Sequence, residues 1–285
     1  MRNNFLIDTE VVHTVLDKVV LKPANSNRVH QPSPVGSTER SAPKMIDANS
    51  IAKTQKMLDR AIVLAWRDVK TSRRPPALTR TRWVWRLAGA YHSSRHTTRL
   101  MEEARDRFAA SGRKNLAQWA AQKAREEAGH DRLALLDIQS MGYDAEAVVQ
   151  VLVPSAATAF VEYLTQTVQA LDSISCIGVV YVGERLGTFA GEKYIQSVKA
   201  LLPPSTYATR WLSIHSCVGD EVKHVEETVK VVAKLTSQER ICVARACYET
   251  ALLRFNPPKQ GYISDEDIQN LLKPLELKTC STNSL

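Results

Sequence analysis

Apolar and polar positions intermix along most of the chain in long runs that proline barely interrupts: between Pro76 and Pro203 only Pro154 intervenes. These runs are rich in Ala, Leu, Glu, Arg and Gln, residue types that favour helix over sheet. The pattern predicts helices at about 46–72, 82–111, 114–141, 154–173, 175–201, 204–234 and 236–255. Ser111-Gly112 closes the second, Gly142 follows the third, and Pro203-Pro204 ends the fifth. Ser237 and Glu239 suit the start of the last, although Ser237 finds no acid three residues on to complete a capping box. The apolar run Val148–Val153 resembles a strand, but no second strand is evident to pair with it. The expectation is therefore all-α, with no internal repeat.

Proline placement also divides the chain. Residues 1–45 hold four of the 12 prolines, and 22–45 are too polar to repay the entropy of ordering. They read as a flexible N-terminal arm and linker, with a short apolar segment from Phe5 to Leu21. Residues 46–256 form the helical domain, and 257–285 a C-terminal extension.

Composition narrows the function classes. No stretch approaches the roughly 18 uncharged apolar residues of a membrane span, and the charged start does not suit a secretory signal. Five cysteines without a CxxC pair argue against a disulfide scaffold or a zinc ribbon, so a reducing cytoplasm is the expected location. The net charge of +8 is partly local: Lys70, Arg73, Arg74, Arg80, Arg82 and Arg86 face one acid, Asp68. Such a patch suits an anionic ligand or an acidic partner, but a solvated arginine-rich loop is the plainer reading. It carries no nucleic-acid motif, so nucleic acid is not an expected partner.

Two Glu-x-x-His segments carry the candidate chemistry: Glu127–His130, and Glu221–His224 some 94 positions further on. Positions i and i+3 share a helix face, so a carboxylate and an imidazole can converge on one ion. Two such motifs on separate helices, joined by lone carboxylates, are a way to build a di-iron site. Glu162 lies on a polar stripe with Thr158, Thr165 and Gln166 and reads as a solvated residue. Glu184 differs, because Val180, Tyr181, Gly187 and Thr188 surround it on the helix. A carboxylate on so apolar a face needs either a metal or a cationic partner such as Arg185. Gly183, Gly187 and Gly191, at four-residue spacing, indicate that something approaches this helix closely.

Glu126-Glu127-Ala128-Gly129-His130-Asp131, followed by Leu133, Leu136-Asp137 and Met141-Gly142, resembles the first signature of haem-oxygenase-like di-iron proteins. Gly178-x-x-Tyr181-Val182-x-Glu184-x-Leu186-Gly187 is similar to that family's second motif, and His215 to His224 occupies the place of its third. The resemblance covers about residues 55–255. It implies a bundle of about seven helices in which Glu127, His130, Glu184, His215 and His224 hold two Fe(II) ions per chain. It further implies O2 as co-substrate and oxidation of a small metabolite: N-oxygenation of an amine or amino acid, oxidative decarboxylation, carbon–carbon cleavage or self-modification. The substrate is expected to be free or carrier-bound, with an anionic group as the basic patch suggests, and a homodimer is compatible.

The third motif departs from the family's His-x-x-x-Asp-x-x-His, since His215 and His224 are nine residues apart, about 180° around a regular helix. A bulge or unwinding near Gly219 would bring His215, Asp220 and His224 together. In a regular helix, Cys217, Glu221 and His224 would share the face instead, but a thiolate is unusual beside O2-activating iron. The bulge is the expectation, with either Asp220 or Glu221 as ligand. Asp131 and Asp137 are candidates to support the ligands or to lie at the surface. Rival arrangements are a ferritin-like carboxylate site using Glu102 or Glu103, a haem ligated by His92 or His96, a thiaminase-like enzyme using Cys176 or Cys217, and a non-enzymatic helical adaptor for an acidic partner. Trp83, Trp85, Tyr91, Trp119, Tyr181 and Trp211 are expected mostly in core packing.

Overall fold

A computed structural model describes residues 47–69, 76–256 and 263–277. The N-terminal arm expected at 1–45 lies outside the described residues, as do Lys70, Arg73 and Arg74 of the basic patch and parts of the segment 257–285. The described chain is α-helical: α1 (Ala48–Val69), α2 (Arg80–Ala110), α3 (Lys114–Glu127), α4 (His130–Ser140), α5 (Ala145–Val151), α6 (Ser155–Gln169), α7 (Cys176–Gly187), α8 (Glu192–Lys199), α9 (Arg210–Ile214), α10 (Glu221–Ala233), α11 (Ser237–Phe255) and α12 (Asp265–Leu272). The run at 148–153 is helical through Val151. No single helix among the described residues is long and apolar enough to cross a membrane.

Three of the expected helices are each divided in two. The stretch 114–141 breaks at Gly129, which adopts a left-handed φ of 83°. An L side chain rarely takes that conformation, so the glycine permits a sharp joint between α3 and α4. The stretch 175–201 ends its first helix at Gly187, and 204–234 unwinds between Ile214 and Glu221. Gly191 therefore begins α8 and does not share a helix face with Gly183 and Gly187. The start of α11 is also corrected: Thr236, one residue before Ser237, caps it, and Glu239 completes the capping box from there.

The 31-residue α2 organises the bundle. Its N-terminal half joins an apolar cluster with α4, α5, α8 and α12, around Trp83, Leu87, Ile138 and Val198. Its C-terminal half joins a second cluster with α1, α3, α6, α7, α10 and α11, around Met101, Phe108, Leu164 and Val179. Gly178 lets α7 and α11 meet at backbone distance, since a Cβ there would collide with the Val243 carbonyl oxygen. The described part of the basic patch is built into this frame, contrary to the expected solvated loop. Arg82 is buried and pairs with Asp265 of α12. Arg86 is buried with its Nη1 donating to the Tyr194 hydroxyl (2.9 Å), and Arg80 reaches the Met141 carbonyl (2.9 Å).

Candidate metal centre

Helix α3 buries a stripe of Leu116, Trp119, Ala120, Lys123 and Ala124, and the next turn along carries Glu126 and Glu127. The chain then breaks at Gly129, and His130 opens α4. The Glu127–His130 pair thus faces one point across a joint, with Glu127 Oε2 3.4 Å from His130 Nδ1. The expectation that they share a continuous helix is corrected.

His215 is placed by a different joint. The buried Asp137 of α4 accepts hydrogen bonds from the first backbone N–H groups of α9, Arg210 (3.1 Å) and Trp211 (3.0 Å), and from Arg210 Nη1 (3.1 Å). Asp137 therefore anchors the short helix that ends at His215. Burial lifts its carboxyl to about 6 despite these donors. Beyond His215 the chain turns at Gly219, where a Cβ would strike the carbonyls of Ile214 and Ser213. On α7, the bare Cα of Gly187 admits the His215 carbonyl; a Cβ there would lie 2.9 Å from that oxygen. The expected unwinding near Gly219 is thus present. It brings His215 Nδ1 to 2.7 Å from Glu221 Oε1, while Glu221 Oε2 lies 3.7 Å from His224 Nδ1. Asp220 is exposed and outside this arrangement, and Cys217 is exposed as well.

Two groups of potential ligand atoms result, each within 4.8 Å: Glu127, His130 and His215, and Glu126, Glu184 and His224. Their surroundings differ. In the first, the rings of His130 and His215 meet edge to face at 4.7 Å, and the Trp211 ring lies 4.6 Å from His215. His130 Nδ1, His215 Nε2 and the nearby Glu221 Oε2 are buried and make no hydrogen bond among the described residues. Buried polar atoms are rarely left so. Glu221 takes the other nitrogen of His215, which leaves Nε2 as the free donor atom, the arrangement of a carboxylate-oriented metal-binding histidine.

In the second group every carboxylate oxygen already has a donor. Lys123 Nζ lies 2.8 Å from Glu126 Oε2 and 2.7 Å from Glu184 Oε1. Gln122 Nε2 donates to Glu126 Oε1 (2.8 Å), and Thr228 Oγ1 donates to Glu184 Oε2 (3.1 Å). Arg185, considered as a partner for Glu184, instead forms a two-pronged pair with Asp59 of α1 (2.8 and 3.0 Å), which also accepts from the Tyr181 hydroxyl. Lys123 and Glu126 escaped the sequence reading. Their available signal was a lysine standing on the apolar stripe of α3.

The electrostatics follow the burial. Desolvation pushes Glu184 up to about 7 against the pull of Lys123. It opposes Glu221 too, but the neighbouring imidazoles of His215 and His224 prevail and hold that carboxyl down at about 2. Burial likewise works against the Glu127 carboxylate and is outweighed by His130 and His215. The imidazole of His215 is raised because Glu127 and Glu221 overcome its burial.

Glu127 and His215 of the first group and Glu184 of the second line a cavity of about 110 Å³ where the two apolar clusters meet. Its wall includes Met101, Phe160, Leu164, Val179 and Leu186, with Lys123, Glu127, Glu184, His215 and Glu221 on one side. Arg254 of α11 also lines it, with its guanidinium 4.3 Å from the centre of the Phe160 ring and its Nε without a hydrogen bond. Trp83 and Trp211 line the cavity, whereas Trp85, Trp119 and Tyr181 are buried in the core.

The rival sites fare less well. Glu102 is exposed, and neither it nor Glu103 lines the cavity, so the ferritin-like arrangement lacks its carboxylate. His92 Nε2 is engaged by the carbonyls of Val149 (2.9 Å) and Leu152 (3.1 Å), and His96 does not line the cavity either. Cys176 is buried with its thiol pushed up by desolvation, the reverse of an activated nucleophile. Glu162 is exposed, as expected.

No family model matches the chain, and no curated protein matches it in sequence. Among solved structures it is similar to a domain of unknown function with a haem-oxygenase-like fold from Shewanella denitrificans OS217. The two share 19% identity with a TM-score of 0.54, over 81% of this chain and 94% of that one. The helix order and this likeness together establish a haem-oxygenase-like fold.

Proposed function

We propose that this protein is a non-haem, iron-dependent oxidoreductase that uses O2 to oxidise a small anionic metabolite. One observation carries the reading: Glu127, His130 and His215 converge within 4.8 Å, and the two histidines present buried nitrogens with no hydrogen-bond partner. Two imidazoles and one carboxylate, with positions left open, form the donor set of non-haem ferrous oxygenases. These residues fit a ferrous ion, and when bound it would supply the redox chemistry that lets O2 react with an organic molecule.

The chain's own groups divide the remaining work. Glu221, through its bond to His215 Nδ1, fixes the ring so that Nε2 faces the ion. Trp211, packed against His215, and the apolar wall around Phe160 and Leu186 keep bulk water away from the reacting region. Arg254 offers a permanent positive charge to a carboxylate or similar group; burial draws it down only to about 10, so it stays protonated near neutrality. A small metabolite with one anionic end would then place its apolar part against the cavity wall.

The test is anaerobic titration of chelator-treated protein with Fe(II), followed by exposure to O2. Wild type should bind iron and consume O2 in a substrate-dependent way, and His130→Ala or His215→Ala should each weaken iron binding by at least tenfold. Unchanged iron affinity in both variants rules out this site.

A further inference from the structure

We infer that the Glu126–Glu184–His224 group does not take a second iron, because the ammonium of Lys123 is its built-in cation; the chain then loads one ion, at Glu127, His130 and His215. This rests on the iron-dependent reading above and revises the expectation of two ions per chain.

Lys123 is 2% exposed and projects from the buried stripe of α3 between the two carboxylates. It lies within 2.8 Å of both, on one oxygen of each. Gln122 and Thr228 occupy the two remaining oxygens. These partners are themselves held: Gln122 also donates to Glu227 (2.7 Å), and Thr228 accepts from Trp119 Nε1 (3.3 Å). A metal ion entering here would have to displace the ammonium from the two carboxylates it pairs with among the described residues. It would otherwise sit beside a fixed positive charge. The first group shows the opposite condition, with buried donor atoms left open. The residues present fit one divalent ion and do not fit a second.

Full-length protein, stripped with chelator, is titrated anaerobically with Fe(II) and, separately, with Mn(II). Bound metal is counted by elemental analysis, and the Mn(II) form is followed by electron paramagnetic resonance. Wild type should saturate at one ion per chain and give the spectrum of an isolated ion. Lys123→Gln, which removes the charge at similar size, should take up a second ion, whereas Lys123→Arg should stay at one. Two ions in wild type, or a spin-coupled Mn(II) pair, overturn the inference while leaving the iron-dependent reading intact. No bound ion in wild type removes both. One ion in a folded Lys123→Gln, checked by circular dichroism, shows that the ammonium does not exclude the second ion. The wild-type count decides the matter if that variant fails to fold.

Discussion

Asp137 accepts a hydrogen bond from the backbone N–H of Trp211 at 3.0 Å, and the Trp211 ring in turn packs against His215 at 4.6 Å, tilted by 39°. A carboxylate on one helix thereby sets the height and tilt of a candidate ligand on another without touching it. Because the Asp137 carboxyl is lifted from 3.8 to about 6, the folded state holds an extra proton between those values. Stability from this group is greatest below pH 4, falls as pH rises to 6, and is flat above. Denaturant midpoints of wild type against Asp137→Asn should show the loss only in wild type, at about 3 kcal/mol or less. Parallel pH profiles for the two proteins contradict it.

Glu221 ties His215 to His224. Glu221→Ala releases the His215 ring and leaves its Nδ1 buried without a partner. Fe(II) affinity at the first group should fall by about 10–100-fold, with helix content retained. Isothermal titration under nitrogen reads the change, and an unaltered affinity means that Glu221 does not orient the ring.

Gly187 and Gly183 lie one turn apart on α7 and should respond differently to the same substitution. A methyl at Gly187 meets the His215 carbonyl at 2.9 Å, whereas one at Gly183 meets nothing within 4 Å. Gly187→Ala should push the α9–α10 joint outward and weaken iron binding several-fold. Gly183→Ala should keep iron binding and gain up to about 1 kcal/mol of stability from helix propensity. Since Gly183 lines the cavity, its methyl should also reduce ligand binding. Equal iron affinities for the two variants dismiss the close-approach account of Gly187.

Arg254 makes a charge-specific claim. Arg254→Met preserves much of the apolar contact with Phe160 and removes the cation. A panel of short-chain carboxylates and their amides, scored by thermal shift, should show a carboxylate preference in wild type that disappears in the variant. A preference that persists in Arg254→Met assigns anion recognition elsewhere.

The long helices were legible because their ends carry local signals. Ser111-Gly112 and Gly142 stop their helices through backbone geometry that only nearby residues decide, and the Gly142 φ is 89°. The joint at Gly129 was harder to read. A glycine inside a helical pattern is compatible with an unbroken helix, and only tertiary packing selects the left-handed turn. The expected unwinding near Gly219 could be anticipated because two histidines nine residues apart cannot share a regular face. Glu184 stood out for the same kind of reason, as a carboxylate amid valines and glycines. Its partner carried a weaker signal: Lys123 stands on the apolar stripe of α3, but it is told apart from a solvated helical lysine only when α7 and α10 close over it. Asp220 and Glu221 were equivalent on paper, and the choice depended on where the unwound segment ends, which leaves Asp220 exposed and Glu221 at the start of α10.

Lys123 also bears on how the protein endures scarcity. A bound ion can dissociate when its supply falls, but an ammonium on the polypeptide cannot. Glu126 and Glu184 keep their counter-charge whatever the metal supply, so the contact between α3 and α7 survives; under the proposed one-ion reading, only the Glu127–His130–His215 group would depend on that supply.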